Sequence, residues 1–277
     1  PAAPRPTSKS APTSSRASGS PDRTRPRRLG VGGSKIGCPK PDQQYDLLRG
    51  FLEAAKRGNA MGQKQDVLEQ IAEDWLQLRG YFTVHDVPFR PDGSSPGHSS
   101  QTDSVHSDID LIAVHPSPPR GKPKAYVVTC KSGSGKFNAK KLVDAIAHEK
   151  KWWGKLAWKH FRELCDEKWR NGFLRTVAAK IGARKSDGQP KPFTYLIVVG
   201  NAVEGATDVL NANFRQAIGN NPIEVKSFNQ ILDEVWQLVN ADNARRANSD
   251  IGRLLQLVKQ SGWTLERADH ETDFADD

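Results

Sequence analysis

Cysteine is scarce in this sequence. Its three cysteines, Cys38, Cys130 and Cys165, are odd in number and nowhere spaced as a CxxC pair. That argues against a disulfide framework and a cysteine-based structural zinc site, and it fits a reducing compartment. Long apolar runs are missing too. No stretch approaches the roughly 18–20 residues that a membrane span needs, and no apolar leader core follows the N-terminus. The expectation is therefore a soluble, cytoplasmic chain without a membrane partner, nucleoid-associated if it binds DNA. Nucleotide fingerprints are incomplete. Gly30–Gly33 (GVGG) lacks both a preceding strand and the full glycine spacing. In SGSGK at 132–136, Cys130 stands where a phosphate-binding loop has its first glycine, and Phe137 where it has its magnesium-binding Ser or Thr. His98, His106 and His115 show no metal-ligand spacing. Negative charge is the minority: 41 Lys and Arg against 32 Asp and Glu give a formal net charge of +9. An acidic partner is favoured, nucleic acid being the simplest and DNA the first choice.

What is present divides the 277 residues into three parts. Residues 1–37 are rich in Pro, Ser, Gly and Arg with almost no large apolar side chains, which predicts a disordered basic arm. Residues 38–265 hold enough periodic apolar sequence for one α/β domain with additional C-terminal helices. Residues 266–277 form an acidic tail. Within the domain, helical spacing predicts helices over 42–57 and 64–79, the second with an apolar stripe of Leu68, Ile71, Ala72, Trp75 and Leu78. Glu69 lies beside that stripe. A strand follows at 81–89, then a Pro/Gly/Ser-rich loop at 91–104. Phe193–Val199 is a continuous apolar run of the kind that forms a central strand covered on both faces. Around it, helices are predicted at 138–153, 206–218, 228–239 and 250–260, with a short strand at 223–226.

The chemistry concentrates in Ser107–Ser132. SDIDLIAVH and AYVVTCKS read as two strands joined by a proline-rich loop, together a hairpin. Side chains alternate along strands, so Asp108 and Asp110 share one face of the first strand, and Thr129 and Lys131 share one face of the second. Carboxylates at the start of one strand and an ammonium at the end of its neighbour are what a metal-dependent phosphodiester hydrolase needs: the acids hold a divalent cation, and the lysine orients water or steadies charge on phosphate. Lys131 ends a nearly uncharged strand, so an acidic partner close to it is implied.

The ordered set of a Glu-bearing helix before Gly80–Tyr81, then Ser107-Asp108-Ile109-Asp110, then Val128-Thr129-Cys130-Lys131 resembles the core of the PD-(D/E)XK nuclease superfamily, in particular its Mrr-like, restriction-endonuclease-like branch. The resemblance covers roughly residues 63–153. It implies a central mixed β-sheet flanked by helices, a Mg2+ or Mn2+ cofactor, and DNA cleavage. Lys131, Asp110 and Glu69 take the catalytic positions, and Asp110, Asp108, Glu69 and Thr129 the metal-ligand positions. The family's second strand ends acid-x-Lys, and here Thr129 stands in place of the acid. Asp108 or Glu149 are the candidates for supplying the missing charge.

Beyond the hairpin, Trp152, Trp153, Trp158 and Trp169 interleave with Lys150, Lys151, Lys155, Lys159 and Lys168. Basic residues hold phosphates and aromatic faces stack on bases, so Lys150, Lys151, Trp152 and Lys155, with Ser132 in the loop after the lysine, are the candidate nucleic-acid contacts, while core packing of the tryptophans is the competing reading. Two functions stand against each other: a metal-dependent endonuclease, and a nuclease fold without cleavage that serves as a nucleic-acid-binding module. Double-strand cutting would suit a homodimer.

Overall fold

The structure, a computed structural model, describes residues 66–99, 101, 103, 105–133, 135–241 and 249–262. The basic arm, the helix expected at 42–57 and the acidic tail lie outside them. Helix α1 (Val67–Leu78) starts where the Asp66 carboxylate accepts the Leu68 amide, satisfying one of the donors a helix start leaves unpaired. Its predicted stripe, Leu68, Ile71, Ala72, Trp75 and Leu78, is buried. Strands β1 (Phe82–Phe89), β2 (Ser107–Val114) and β3 (Ala125–Lys131) follow as antiparallel neighbours, so the predicted hairpin forms. After β3 come α2 (Ala139–Ala147), a small hairpin of β4 (Lys151–Trp152) and β5 (Lys155–Leu156), α3 (Arg162–Cys165) and α4 (Glu167–Ile181). The chain then runs through β6 (Thr194–Val199), α5 (Ala206–Phe214), β7 (Ile223–Ser227), α6 (Phe228–Ala241) and α7 (Asp250–Gln260).

These elements make an α/β domain around one mixed five-stranded sheet, ordered β1-β2-β3-β6-β7, in which β3, β6 and β7 run parallel. Alternation sorts the strand side chains onto two faces. Val127, Tyr195 and Ile197 face a layer built from α2, α4 and α5, including Leu142, Phe173 and Leu210. Tyr126, Val128, Leu196 and Val198 face Trp75 and Leu76 of α1 and Ile231 and Val235 of α6. Every residue of β6 is buried, as its continuous apolar run requires. At the sheet edge, Asn211 accepts the Ile223 amide at 2.9 Å and donates to the Ile223 carbonyl at 2.6 Å, while the Thr207 hydroxyl takes the Val225 amide at 3.0 Å. Side chains of α5 thus occupy the outer backbone groups of β7, which would otherwise invite another strand. Among the described residues no helix is long and apolar enough to cross a membrane.

Two differences from the sequence expectation matter for the site. The helix expected to reach Trp153 ends at Ala147, and Asn138 caps its start as predicted, its Oδ1 accepting the Lys141 amide. Glu149 and Trp153 then take positive φ values of 52° and 46°, turning the chain into the β4–β5 hairpin. The largest element not anticipated is α4. Its buried stripe, Trp169, Phe173, Val177 and Ile181, recurs every four residues, but Arg170 and Lys180 fall on the same arc of the helix and lower the apparent amphipathicity.

Helix α4 lies directly against the end of β1. A Cβ added at Gly172 would stand 1.8 Å from the Arg90 carbonyl oxygen, so only glycine permits this approach. Gly172→Ala is expected to destabilise the domain by about 1–3 kcal/mol, read as a lower denaturation midpoint; an unchanged midpoint would contradict this packing.

Candidate active site

The backbone pairing of β2 with β3 runs from Val114↔Ala125 to Leu111↔Val128 and stops before Asp110. There a side chain takes over. Asp110 Oδ2 accepts the Cys130 amide at 2.5 Å and the Thr129 hydroxyl at 3.2 Å. Lys131 Nζ in turn donates to Thr129 Oγ1 at 2.8 Å. Asp110, Thr129 and Lys131 therefore form one hydrogen-bonded chain across the two strands. Both of Asp110's bonds go to Oδ2, and among the described residues no donor reaches Oδ1.

A kink in the neighbouring strands sets the carboxylate in place. The pairs His85↔Leu111 and Val87↔Ile109 leave Asp86 level with Asp110, and Asp86 adopts φ 47°. Across this point Val84 and Val87 enter the same core cluster, as do Ile109 and Ile112. Residues three apart on a regular strand would face opposite ways. The alternation is therefore interrupted on both strands where the acid sits.

Electrostatics around the chain are unbalanced toward negative charge. Burial pushes the Asp110 carboxyl up, against the pull of the Lys131 ammonium and of its two hydrogen bonds. Glu69 on α1 is pushed up to about 7 by burial first, then by the charges of Asp110 and Asp86. Burial, with Asp110 and Glu69 nearby, holds the Cys130 thiol protonated, which makes it a poor nucleophile. Within electrostatic reach of Lys131 lies a residue that sequence reasoning did not single out. Glu163 of α3 is buried at 7 % exposure and accepts a hydrogen bond from the Tyr195 hydroxyl. Burial raises its pKa, while Tyr195 and the Lys131 charge work the other way. The acidic neighbours implied for Lys131 are thus Asp110 and Glu163. The only hint in the sequence was an acid set between Phe161 and Leu164.

The remaining candidates fall elsewhere. Asp108 and Ser132 are exposed at the strand ends, and no hydrogen bond or ion pair joins either to the chain of Asp110, Thr129 and Lys131 among the described residues. Glu149 is exposed on the turn after α2. Glu73 is committed to β1, bonding the Thr83 hydroxyl at 2.6 Å and His85 at 2.7 Å. Lys150, Lys151 and Lys155 are exposed, Lys150 pairing with Asp144. Trp152 is half-buried and stacks on Trp153 with ring centroids 3.8 Å apart. Trp153 also lies against Gly133, where a Cβ would come within 2.7 Å of the indole. The stacked pair therefore clamps the loop that follows Lys131, and Trp169 is buried at 3 % exposure. Comparisons with protein-family models, curated proteins and solved structures found no match to this chain.

The raised Glu69 carboxyl has a pH signature. Its folded value, about 7, lies above the ordinary 4.5, so its contribution to stability is complete below the unfolded value and is lost as pH rises through about 7. Glu69→Gln is expected to leave melting unchanged near about pH 4.5 and to raise the melting temperature relative to wild type above about pH 7. Parallel melting curves of the two proteins would contradict this assignment.

Proposed function

We propose that this chain is a metal-dependent phosphodiester hydrolase acting on DNA, with a restriction-endonuclease-like core of the PD-(D/E)XK type. The observation that carries the reading is the joining of Asp110, Thr129 and Lys131 in one hydrogen-bonded chain at the strand ends. It is supported by the order of elements, an acid-bearing helix, an antiparallel hairpin and a parallel strand beyond it. The mutual repulsion of Glu69, Asp110 and Asp86 also fits, because perturbed carboxylates gather where function needs them.

The donor set suits magnesium or manganese better than an ion caged wholly by protein. Among the described residues no three His, Cys, Asp or Glu side chains converge on one metal position, whereas magnesium is commonly held by one or two carboxylates, waters and substrate phosphates. Asp110, through Oδ1, and Glu69 would hold it. When bound, the ion would lower the pKa of a water and draw charge from the phosphate. Lys131 spends one of its three N–H donors on Thr129 and keeps the others for a phosphate oxygen, where a fixed ammonium stabilises developing charge. Thr129, donating to Asp110 and accepting from Lys131, orients both. Glu163, buried near the ammonium, offsets the cost of holding that charge beside an apolar layer. Cutting both strands of a duplex in one event would favour a homodimer.

One observation favours the second reading, a nucleic-acid-binding module that no longer cuts: Thr129 is a neutral hydroxyl where a second strand-borne carboxylate would complete the set. Cleavage of supercoiled DNA in Mg2+ or Mn2+ decides between them. Wild type is expected to cut, with Asp110→Ala and Lys131→Ala each at least about 100-fold slower. An inert wild type made active by Thr129→Glu would establish the binding module. Inactivity of both proteins would leave the hydrolase reading without support.

A further inference from the structure

Away from the hairpin, a cleft of about 430 Å³ opens between the end of β1 and α4, lined by Arg90, Gly93, Gly172, Arg175, Thr176 and Lys180 among others. Three of its lining residues are cations and none is an acid. Gly172 lets α4 touch the Arg90 backbone, which makes the cleft a fixed feature of the fold. Arg175 is held by Asp92 at 2.7 Å, and Asp92 is itself anchored by the Ser94 amide and hydroxyl. Arg90 and Lys180 have no acidic partner among the described residues. Such charges attract phosphate, since a solvated cation loses little by meeting an anion and releases the counterions of a polyanion when it does.

The cleft lies at the same end of the sheet as the candidate site. Pro88 pairs with Asp108, and extending the Leu111↔Val128 register brings Lys131 level with the same residue. Arg90 is two residues beyond Pro88. With strands about 4.8 Å apart and about 3.4 Å of rise per residue, the Arg90 and Lys131 backbones stand roughly 12 Å apart. That is roughly two phosphate steps along one strand of a duplex, whose phosphates rotate about the axis as well as rising along it. We propose that this cleft binds the phosphodiester backbone of the nucleic acid on one side of the phosphate held at Lys131. The inference rests on the reading of the hairpin as a DNA site, and it assigns Arg90 and Lys180 as phosphate contacts.

The test is fluorescence anisotropy of a labelled duplex with the full chain, without divalent metal, over a range of salt. Arg90→Ala/Lys180→Ala is compared with Lys122→Ala/Lys124→Ala, an equal loss of charge from the exposed loop before β3. Circular dichroism checks the fold, and each single cleft variant is measured in case the double variant unfolds. The cleft variant is expected to bind at least about tenfold more weakly, with the slope of log K against log salt reduced by about 2; the control should stay within about threefold of wild type. Weaker cleft binding in a protein that cuts no DNA would uphold the cleft and count against the hydrolase. Unchanged cleft binding in a protein that does cut would overturn the cleft and leave the hydrolase intact. Equal weakening by both double variants, or no binding by wild type, would also overturn the cleft.

Discussion

Everything the hairpin site can do depends on the Asp110 carboxylate closing the β2–β3 pairing where the backbone ladder ends. A strand end in a mixed sheet leaves amides without partners, and a buried unpaired amide is costly. Here the Cys130 amide is satisfied by a charged side chain rather than by a carbonyl. That substitution brings a carboxylate to the sheet interior, adjoining Thr129 and, through it, Lys131. It also brings the charge of Glu69 on α1 into play, so that a detail of strand termination sets the electrostatics of two layers.

A second charged cluster shows what a settled arrangement looks like in the same fold. Glu234 on α6 accepts from Trp75 Nε1 at 2.7 Å and Lys226 at 2.9 Å, and pairs with Arg79. Arg79 and Lys226 also lie over the Trp75 ring, at 4.4 and 5.4 Å from its centroid. Burial works against ionisation of Glu234, yet the Lys226 and Trp75 hydrogen bonds and the neighbouring cations hold it below the usual carboxylate range. That network stabilises its own acid and ties α6 to α1. The Glu69 end of α1 does the reverse, assembling carboxylates that disfavour one another. The contrast separates a Glu234 network satisfied within the fold from the carboxylates of Glu69, Asp110 and Asp86, which repel one another.

Much of this was legible in the sequence because it was periodic. The α1 stripe, the hairpin, the buried run of β6 and the Asn138 cap each follow from spacing or from a single side chain's hydrogen-bonding capacity. Helix α4 was not legible, since its four-residue apolar period is diluted by cations that the fold places in solvent or in ion pairs. The turn at Glu149 and Trp153 needs positive φ at residues with no local preference for it, and tertiary packing on Gly133 and Phe137 decides it. Within the site, Asp110, Thr129 and Lys131 could be foreseen from strand alternation. Their junction depends on the irregularity at Asp86, and the charge of Glu163, which bonds Tyr195, acts on Lys131 from 32 residues away in sequence.

The central claim is that Asp110 and Glu69 together form a cation site. Calorimetric titration of the full chain with manganese above about pH 7, where Glu69 is ionised, tests it most directly. The account predicts saturable binding by wild type that is abolished in Asp110→Asn and markedly weakened in Glu69→Gln, with both variants folded by circular dichroism. Binding of equal strength in wild type and Asp110→Asn, or no binding by folded wild type, would contradict it.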